Sequence, residues 1–326
     1  MMCESKPLEH LSAPLQLEFR IVEYCNLRCK YCYAMPFTGD MINTCDFRRI
    51  VDEAEEMRIF EIYLAGGEPV LHPHFLEFLE YVMSKPFSVD ILTNGTRVTK
   101  EVALQIRNLI EKYGKPVNVQ VSLDSVDPRI NDAVRGGTEL TRRGIENLLS
   151  SGVVPSIGCV VTSENVSSVS TLVQQYFPRI TTFNVMPLMF SNQVATHKDE
   201  LIAGDYWKER DRLANELVTL AKERPGIAVT ILEDRDLFPG RQEIWGGKCT
   251  AGELQLIVRG NLDVVTCNIA PKFVVGNLRT SRLQDIWNSI AIKSMRFKSK
   301  YPCLFNNEDL TMIKSENRFV EAKLIS

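Results

Sequence analysis

From residue 15 onward, short β-branched or apolar runs alternate with longer segments of helical period. Leu15–Val22, Glu61–Ala65, Val89–Thr93, Val117–Leu123, Ser156–Val161 and Thr182–Pro187 are predicted strands. Asp46–Met57, His74–Ser84, Thr99–Tyr113, Leu140–Ser151 and Val166–Phe177 are predicted helices. In His74–Ser84 one broad apolar face carries Phe75, Leu76, Phe78, Leu79 and Val82. Strands that alternate with helices imply right-handed crossovers and a parallel sheet. Curled, that sheet makes an α/β barrel or incomplete barrel, with its chemistry on loops at the C-terminal strand ends.

The pattern changes after Pro187. Phe190–His197 reads as a loop, and Asp199–Lys222 as one long helix. Turn residues gather around Pro239–Gly247. A hairpin follows, Gln255–Val258 and Leu262–Thr266, linked by Arg259-Gly260-Asn261. The expected organisation is an N-terminal segment 1–14, a barrel with linker helix 15–240, and a small C-terminal unit 241–326.

Composition adds less. Across 326 residues, hydrophobic residues make up 44% and charged residues 24%, with a net charge of -3. That balance fits a globular protein and argues against nucleic acid or an anionic membrane as the main partner. No apolar run reaches the ~18 residues of a membrane span, and no signal-peptide core precedes the first strand. The expected compartment is the cytoplasm, which changes the meaning of the nine cysteines. Disulfides are uncommon there, so clustered cysteines read as metal ligands or catalytic groups.

Cys25, Cys29 and Cys32 follow the first predicted strand. Thiolates at this spacing can converge on a soft metal centre, and three of them would leave one iron of a four-iron cluster open. The competing reading is zinc, with His72 or His74 as fourth ligand. The Cys-x3-Cys-x2-Cys loop, flanked by Tyr31 and Tyr33, resembles the radical S-adenosylmethionine (radical SAM) family. In that family a [4Fe-4S] cluster chelates S-adenosylmethionine and cleaves it reductively, yielding a 5′-deoxyadenosyl radical that removes a substrate hydrogen atom.

Further motifs fall at successive strand ends. Gly66-Gly67-Glu68-Pro69 follows the second predicted strand, Thr93-Asn94-Gly95 ends the third, and Ser122-Leu123-Asp124 ends the fourth. Glycines there let the backbone approach a ligand, and Glu68 adds an acceptor. The resemblance implies cofactor contacts from Gly66, Gly67, Glu68 and Pro69 to the methionine amino group. It implies contacts to the ribose and carboxylate from Asn94 and Ser122, with Arg135 supporting the carboxylate. Each motif also has a plain reading as a turn or a surface charge. The resemblance spans roughly 15–187 and implies a partial (β/α)6 TIM-like barrel. It also implies a reducing partner such as flavodoxin or ferredoxin.

Cys249, Cys267 and Cys303 form a second group, with Gly276-Asn277-Leu278, Ile286 and Trp287 between the last two. This run resembles the SPASM/twitch extensions of the family, a β-hairpin plus helix holding auxiliary clusters. Six residues separate Gly260 from Cys267, more than the family spacing, and no cysteine follows Cys303. One auxiliary [4Fe-4S] cluster is therefore expected, its fourth iron bound by substrate, water or another side chain such as Asn306 or Asp309. Three ordinary buried cysteines are the alternative. Cys159 reads as core.

Oxidation, crosslinking or epimerisation at an unactivated C–H bond all fit such an enzyme. With 24 residues before Cys25, no peptide-binding module is expected. That favours a small natural product, or a peptide delivered by a separate partner as in peptide maturases. A non-catalytic iron–sulfur protein is the alternative from another class, although it would have no need of the Gly66–Pro69 motif beside its cluster.

Overall fold

In the computed structural model, residues 11–188, 191–231, 252–268 and 273–289 are described. The strands are β1 (Gln16–Val22), β2 (Glu61–Gly66), β3 (Ser88–Thr93), β4 (Val117–Ser122), β5 (Ser156–Val160), β6 (Thr182–Met186), β7 (Ala228–Ile231), β8 (Gln255–Val258), β9 (Asp263–Val265) and β10 (Val274–Asn277). The helices are α1 (Thr44–Glu56), α2 (Phe75–Met83), α3 (Lys100–Tyr113), α4 (Pro128–Val134), α5 (Thr138–Ser150), α6 (Val169–Tyr176), α7 (Asn192–Thr196), α8 (Lys198–Leu201), α9 (Tyr206–Glu223) and α10 (Leu283–Trp287).

One sheet runs β10-β9-β8-β1-β2-β3-β4-β5-β6-β7. Every pair from β8 through β1 to β7 is parallel, whereas β9 and β10 close the other edge antiparallel. The six alternating β/α units are those expected from the pattern. The hairpin strand β8 lies directly beside β1, so the C-terminal segment extends the barrel sheet itself. The expected boundary near residue 240 lies outside the described residues.

Helix α4 and strand β10 were not expected from the pattern, and three further local features differ from expectation, each for a visible reason. The segment read as a loop contains α7, because Ser191 Oγ accepts from the Val194 amide and caps it. The long helix is broken into α8 and α9, with Gly204 at φ +56 between them, a conformation that costs glycine nothing. The four residues of β7 were not expected as a strand; they pair with β6 at the sheet edge.

Strand alternation gives the sheet two unlike faces. On β1, Leu17, Phe19 and Ile21 are buried in the apolar core, where Phe19 meets Phe47 of α1, which stacks on Phe78 of α2. The opposite face carries Gln16, Glu18 and Arg20, and its polarity continues across the sheet. Gln16 Nε2 and the Tyr63 hydroxyl donate to Glu61 Oε2 at 2.7 and 2.9 Å. Asn118 donates to Asp90, and Asn184 Nδ2 to Gln120 Oε1 at 2.6 Å. Arg20 and Asp90 are buried on this face and most of the others half-buried, and buried polar groups are normally hydrogen-bonded to one another or to a ligand.

Burial, together with neighbouring Glu61, pushes the Asp90 carboxyl from its ordinary 3.8 up to about 6. A raised carboxyl favours the protonated folded protein, so its stabilisation is complete below the unfolded value and is lost as pH rises through about 6. Asp90→Asn keeps the acceptor for Asn118 and removes the titration. Its melting temperature should therefore fall less than that of the wild type between about pH 4 and pH 7. Parallel curves for the two proteins would rule out this assignment.

Candidate radical SAM site

The cysteine loop leaves the end of β1 and is pinned on both sides. On one side Asn94, at the end of β3, donates from Nδ2 to Asn26 Oδ1 at 3.1 Å and to Cys25 Sγ at 3.5 Å. On the other, the Lys30 amide donates to Val134 O at 2.8 Å, and Cys29 Sγ lies 3.8 Å from Arg135 O. Cys25 and Cys29 are buried and Cys32 is half-buried.

Burial raises the Cys25 and Cys29 thiols, the latter to about 12, and the neighbouring thiols oppose ionisation further. Three cysteines whose thiolates would repel one another, with Leu27 N–H and Asn94 Nδ2 donating to Cys25 Sγ, suit a cationic centre that stabilises all three in the ionised form. Among the described residues no three ligating side chains converge tightly enough for a single ion. A four-iron cluster asks for less convergence, because each cysteine takes a separate corner. His72 does not serve as a fourth zinc ligand, since Nε2 pairs with Ile42 O at 3.0 Å and Nδ1 accepts from the His74 amide.

The Gly66–Pro69 segment lies against this loop. Gly66 has φ +142, and a Cβ there would collide with Val22 O. A Cβ on Gly67 would collide with Tyr24 O and come within 2.9 Å of Cys25 N. The glycines thus let the end of β2 pack onto the root of the cysteine loop, a close approach of backbone to backbone. Glu68 is fully buried and accepts from Thr93 Oγ1 and the Asn94 amide, both at 2.6 Å, and from the Val70 amide at 3.2 Å. It locks the ends of β2 and β3 together. Pro69 opens the short 3-10 turn Pro69–Leu71.

Ser122 is half-buried at the end of β4, in register with Gly158. Arg135, just past α4, donates from Nη1 to the Tyr31 hydroxyl at 2.6 Å and lies 3.7 Å from Asp124 Oδ2. Tyr31 in turn donates to Asp124. The buried Nε of Arg135 has no hydrogen-bond partner. This Tyr31–Asp124–Arg135 tie was not anticipated, although each residue stood in a motif. Cys159 is buried in β5, with Sγ toward Asp124 O.

The C-terminal hairpin reaches the same region. Tyr33, half-buried on the cysteine loop, feels Glu18, Arg20, Cys32 and Cys267 together, and desolvation of its hydroxyl pushes it well up. Cys267 is half-buried, whereas Cys249 and Cys303 lie outside the described residues. Gly276 abuts Ile286, and the Trp287 Nε1 donates to Leu11 O at 2.9 Å, fastening α10 to the N-terminal segment.

Residues 19–174 match the profile of the radical SAM superfamily. The chain belongs to that superfamily. Residues 249–309 match the SPASM iron-sulfur cluster-binding domain. This radical SAM protein is 28% identical over 304 residues to the mycofactocin maturase MftC of Mycobacterium tuberculosis, covering 88% of this chain and 73% of that one. It is 29% identical over 167 residues to the subtilosin biosynthesis protein AlbA of Bacillus subtilis, covering 50% and 36%. Its fold matches that of Streptococcus suis SuiB bound to its precursor peptide SuiA, at a TM-score of 0.74 and 18% identity. That match covers 86% of this chain and 66% of SuiB. The radical SAM protein is an enzyme of radical C–H chemistry that takes a [4Fe-4S] cluster and S-adenosylmethionine, with iron–sulfur binding in its SPASM region. Among its described residues, no helix is long and apolar enough to cross a membrane.

Proposed function

We propose that this enzyme modifies a peptide at an unactivated C–H bond, as a maturase. The observation that carries this reading is the match to MftC through both the barrel and the SPASM region. The polar sheet face between the cysteine loop and the hairpin supports it, since it offers a peptide hydrogen-bonding groups rather than an apolar slot.

In this reading Cys25, Cys29 and Cys32 hold the first cluster, while Cys249, Cys267 and Cys303 hold one auxiliary cluster. Bound together, the first cluster and S-adenosylmethionine supply a 5′-deoxyadenosyl radical. The backbone at Gly66, Gly67 and Pro69, with Asn94 and Ser122, surrounds the cofactor. Arg135 offers its unpaired Nε to an anionic group there. Glu68 acts as a positioning residue, holding the Thr93–Asn94 backbone where the cofactor needs it. Tyr31 and Asp124 orient Arg135 from behind. A flavodoxin or ferredoxin supplies the electron, in a reducing cytoplasm.

The test uses the anaerobically reconstituted chain with S-adenosylmethionine, dithionite and any short peptide encoded beside its gene. The peptide should raise 5′-deoxyadenosine formation several-fold and itself change mass. A peptide that does neither, with a small metabolite raising turnover instead, would overturn the peptide assignment.

A further inference from the structure

Arg20 stands on the polar face of β1, below the cysteine loop, and is only 2% exposed. Its Nε and Nη2 have no hydrogen-bond partner. These two nitrogens form one edge of the planar guanidinium, the side-on fork that grips both oxygens of a carboxylate. Buried donors left unpaired are costly, so a free edge of this kind calls for a partner.

The nearby carboxylates do not close it. Glu23 Oε1 lies 3.8 Å from Arg20 Nε, beyond hydrogen-bond reach. Both Glu23 oxygens instead accept from Arg259, at 2.7 and 2.5 Å, and Thr38 Oγ1 donates to Oε2 at 3.2 Å. Glu18, two residues back on the same face, has both oxygens taken by Asn268 Nδ2 at 3.0 and 2.9 Å. On the adjacent strand, the residue in register with Arg20 is Ala65, whose methyl group offers no acceptor to the fork.

A second unpaired group lies on the same side. Asn268, which reaches Glu18 from the hairpin beside Cys267, has its Oδ1 buried without a partner. A bidentate donor on Arg20 and a lone acceptor on Asn268, which holds the Glu18 carboxylate two residues along the same face, describe a ligand with a carboxylate and an N–H close by.

We propose that Arg20 and Asn268 form a substrate subsite for a carboxylate flanked by an amide N–H. The subsite rests on the reading of this face as the substrate chamber. Two sources share that chemistry, the C-terminal residue of a peptide and an acidic side chain within one. Arg20 grips the carboxylate side-on, and Asn268 Oδ1 accepts the N–H. The subsite thereby joins the first strand of the barrel to the hairpin and holds the substrate between them.

Binding to the reconstituted full chain, followed by ligand-observed NMR, tests this. N-acetylglycine presents a terminal carboxylate, the α-amide of N-acetylaspartate presents a side-chain one, and N-acetylglycinamide is the neutral control. At least one acid should bind about tenfold or more tightly than the control, as a charge-assisted bidentate contact warrants. The tighter acid identifies the source. Arg20→Met should abolish the preference. Arg20→Lys, which keeps the charge but not the fork, should reduce it about tenfold and serves if the Met variant does not fold. Equal binding of acids and amide, or a preference unchanged in both variants, would overturn the subsite. Displacement of the acid by S-adenosylmethionine would assign the fork to the cofactor carboxylate and overturn it as well. Cofactor cleavage by the wild-type chain is measured separately, so a failed subsite leaves the radical SAM reading standing.

Discussion

Replacing Cys25, Cys29 and Cys32 together with alanine is expected to abolish 5′-deoxyadenosine formation and to lower bound iron by about four per chain. The loop itself should stay in place. Asn94 still pairs with Asn26, the Lys30 amide still donates to Val134 O, and Arg135 still pairs with Tyr31. The lost sulfurs are small, so the structural cost is modest beside the chemical one. Iron analysis, visible absorbance and product chromatography on the folded variant check the prediction. Any iron–sulfur signal that survives belongs to the SPASM region. Normal 5′-deoxyadenosine formation in the variant would end the assignment of these residues as cluster ligands.

Gly67→Ala should be nearly as damaging, for a reason that is wholly steric. The new methyl group would meet the Tyr24 carbonyl, which already accepts from the Glu68 amide at 2.9 Å, and the Cys25 nitrogen at 2.9 Å. These are backbone atoms, so no rotamer change relieves the contact. Either the end of β2 or the root of the cysteine loop must move, with loss of the hydrogen bonds from Gly67 N to Val22 O and from Glu68 N to Tyr24 O. Overpacking of this kind costs on the order of 3 kcal/mol or more. Cluster content should fall with stability, because the displaced atoms adjoin a ligand. Gly114→Ala is the control: at φ +62 with open space around it, it carries only the backbone cost, about 1 kcal/mol. Denaturant midpoints and iron content for the two variants decide the matter. Equal effects would mean that Gly67 is an ordinary turn glycine.

The fate of these glycines shows what the amino-acid pattern can and cannot convey. Strands β1 to β6 were legible because each is a short β-branched run between helical segments, a local signal. The cysteine loop and the Gly66–Pro69 motif were legible as chemistry. Their immediate neighbours were not, since Gly67 meets Tyr24 and Arg135 meets Tyr31, pairings set by which strand ends lie side by side. Glu68 read as a ligand acceptor, yet its oxygens are occupied by Thr93, Asn94 and Val70. The polar inner face was hidden for a similar reason: alternation marks Gln16, Glu18 and Arg20 as facing away from the helices, which in most sheets means toward water. Only the barrel-like curl of the sheet, which β8 and the hairpin extend beside β1, turns that face inward. The hairpin itself was legible, but its place beside β1 was not.

That placement has a consequence for synthesis on the ribosome. The strand that carries the cysteine loop has β2 on one side early, but its other side is completed by β8, ending at Val258. At a synthesis rate of about 5–20 residues per second, roughly ten to fifty seconds pass between the emergence of Val22 and that of Val258. Throughout that interval one edge of β1 offers unpaired amides and carbonyls to any passing strand. Chaperone cover, or early capture of iron and sulfide by the loop above it, would protect the nascent chain most during that wait.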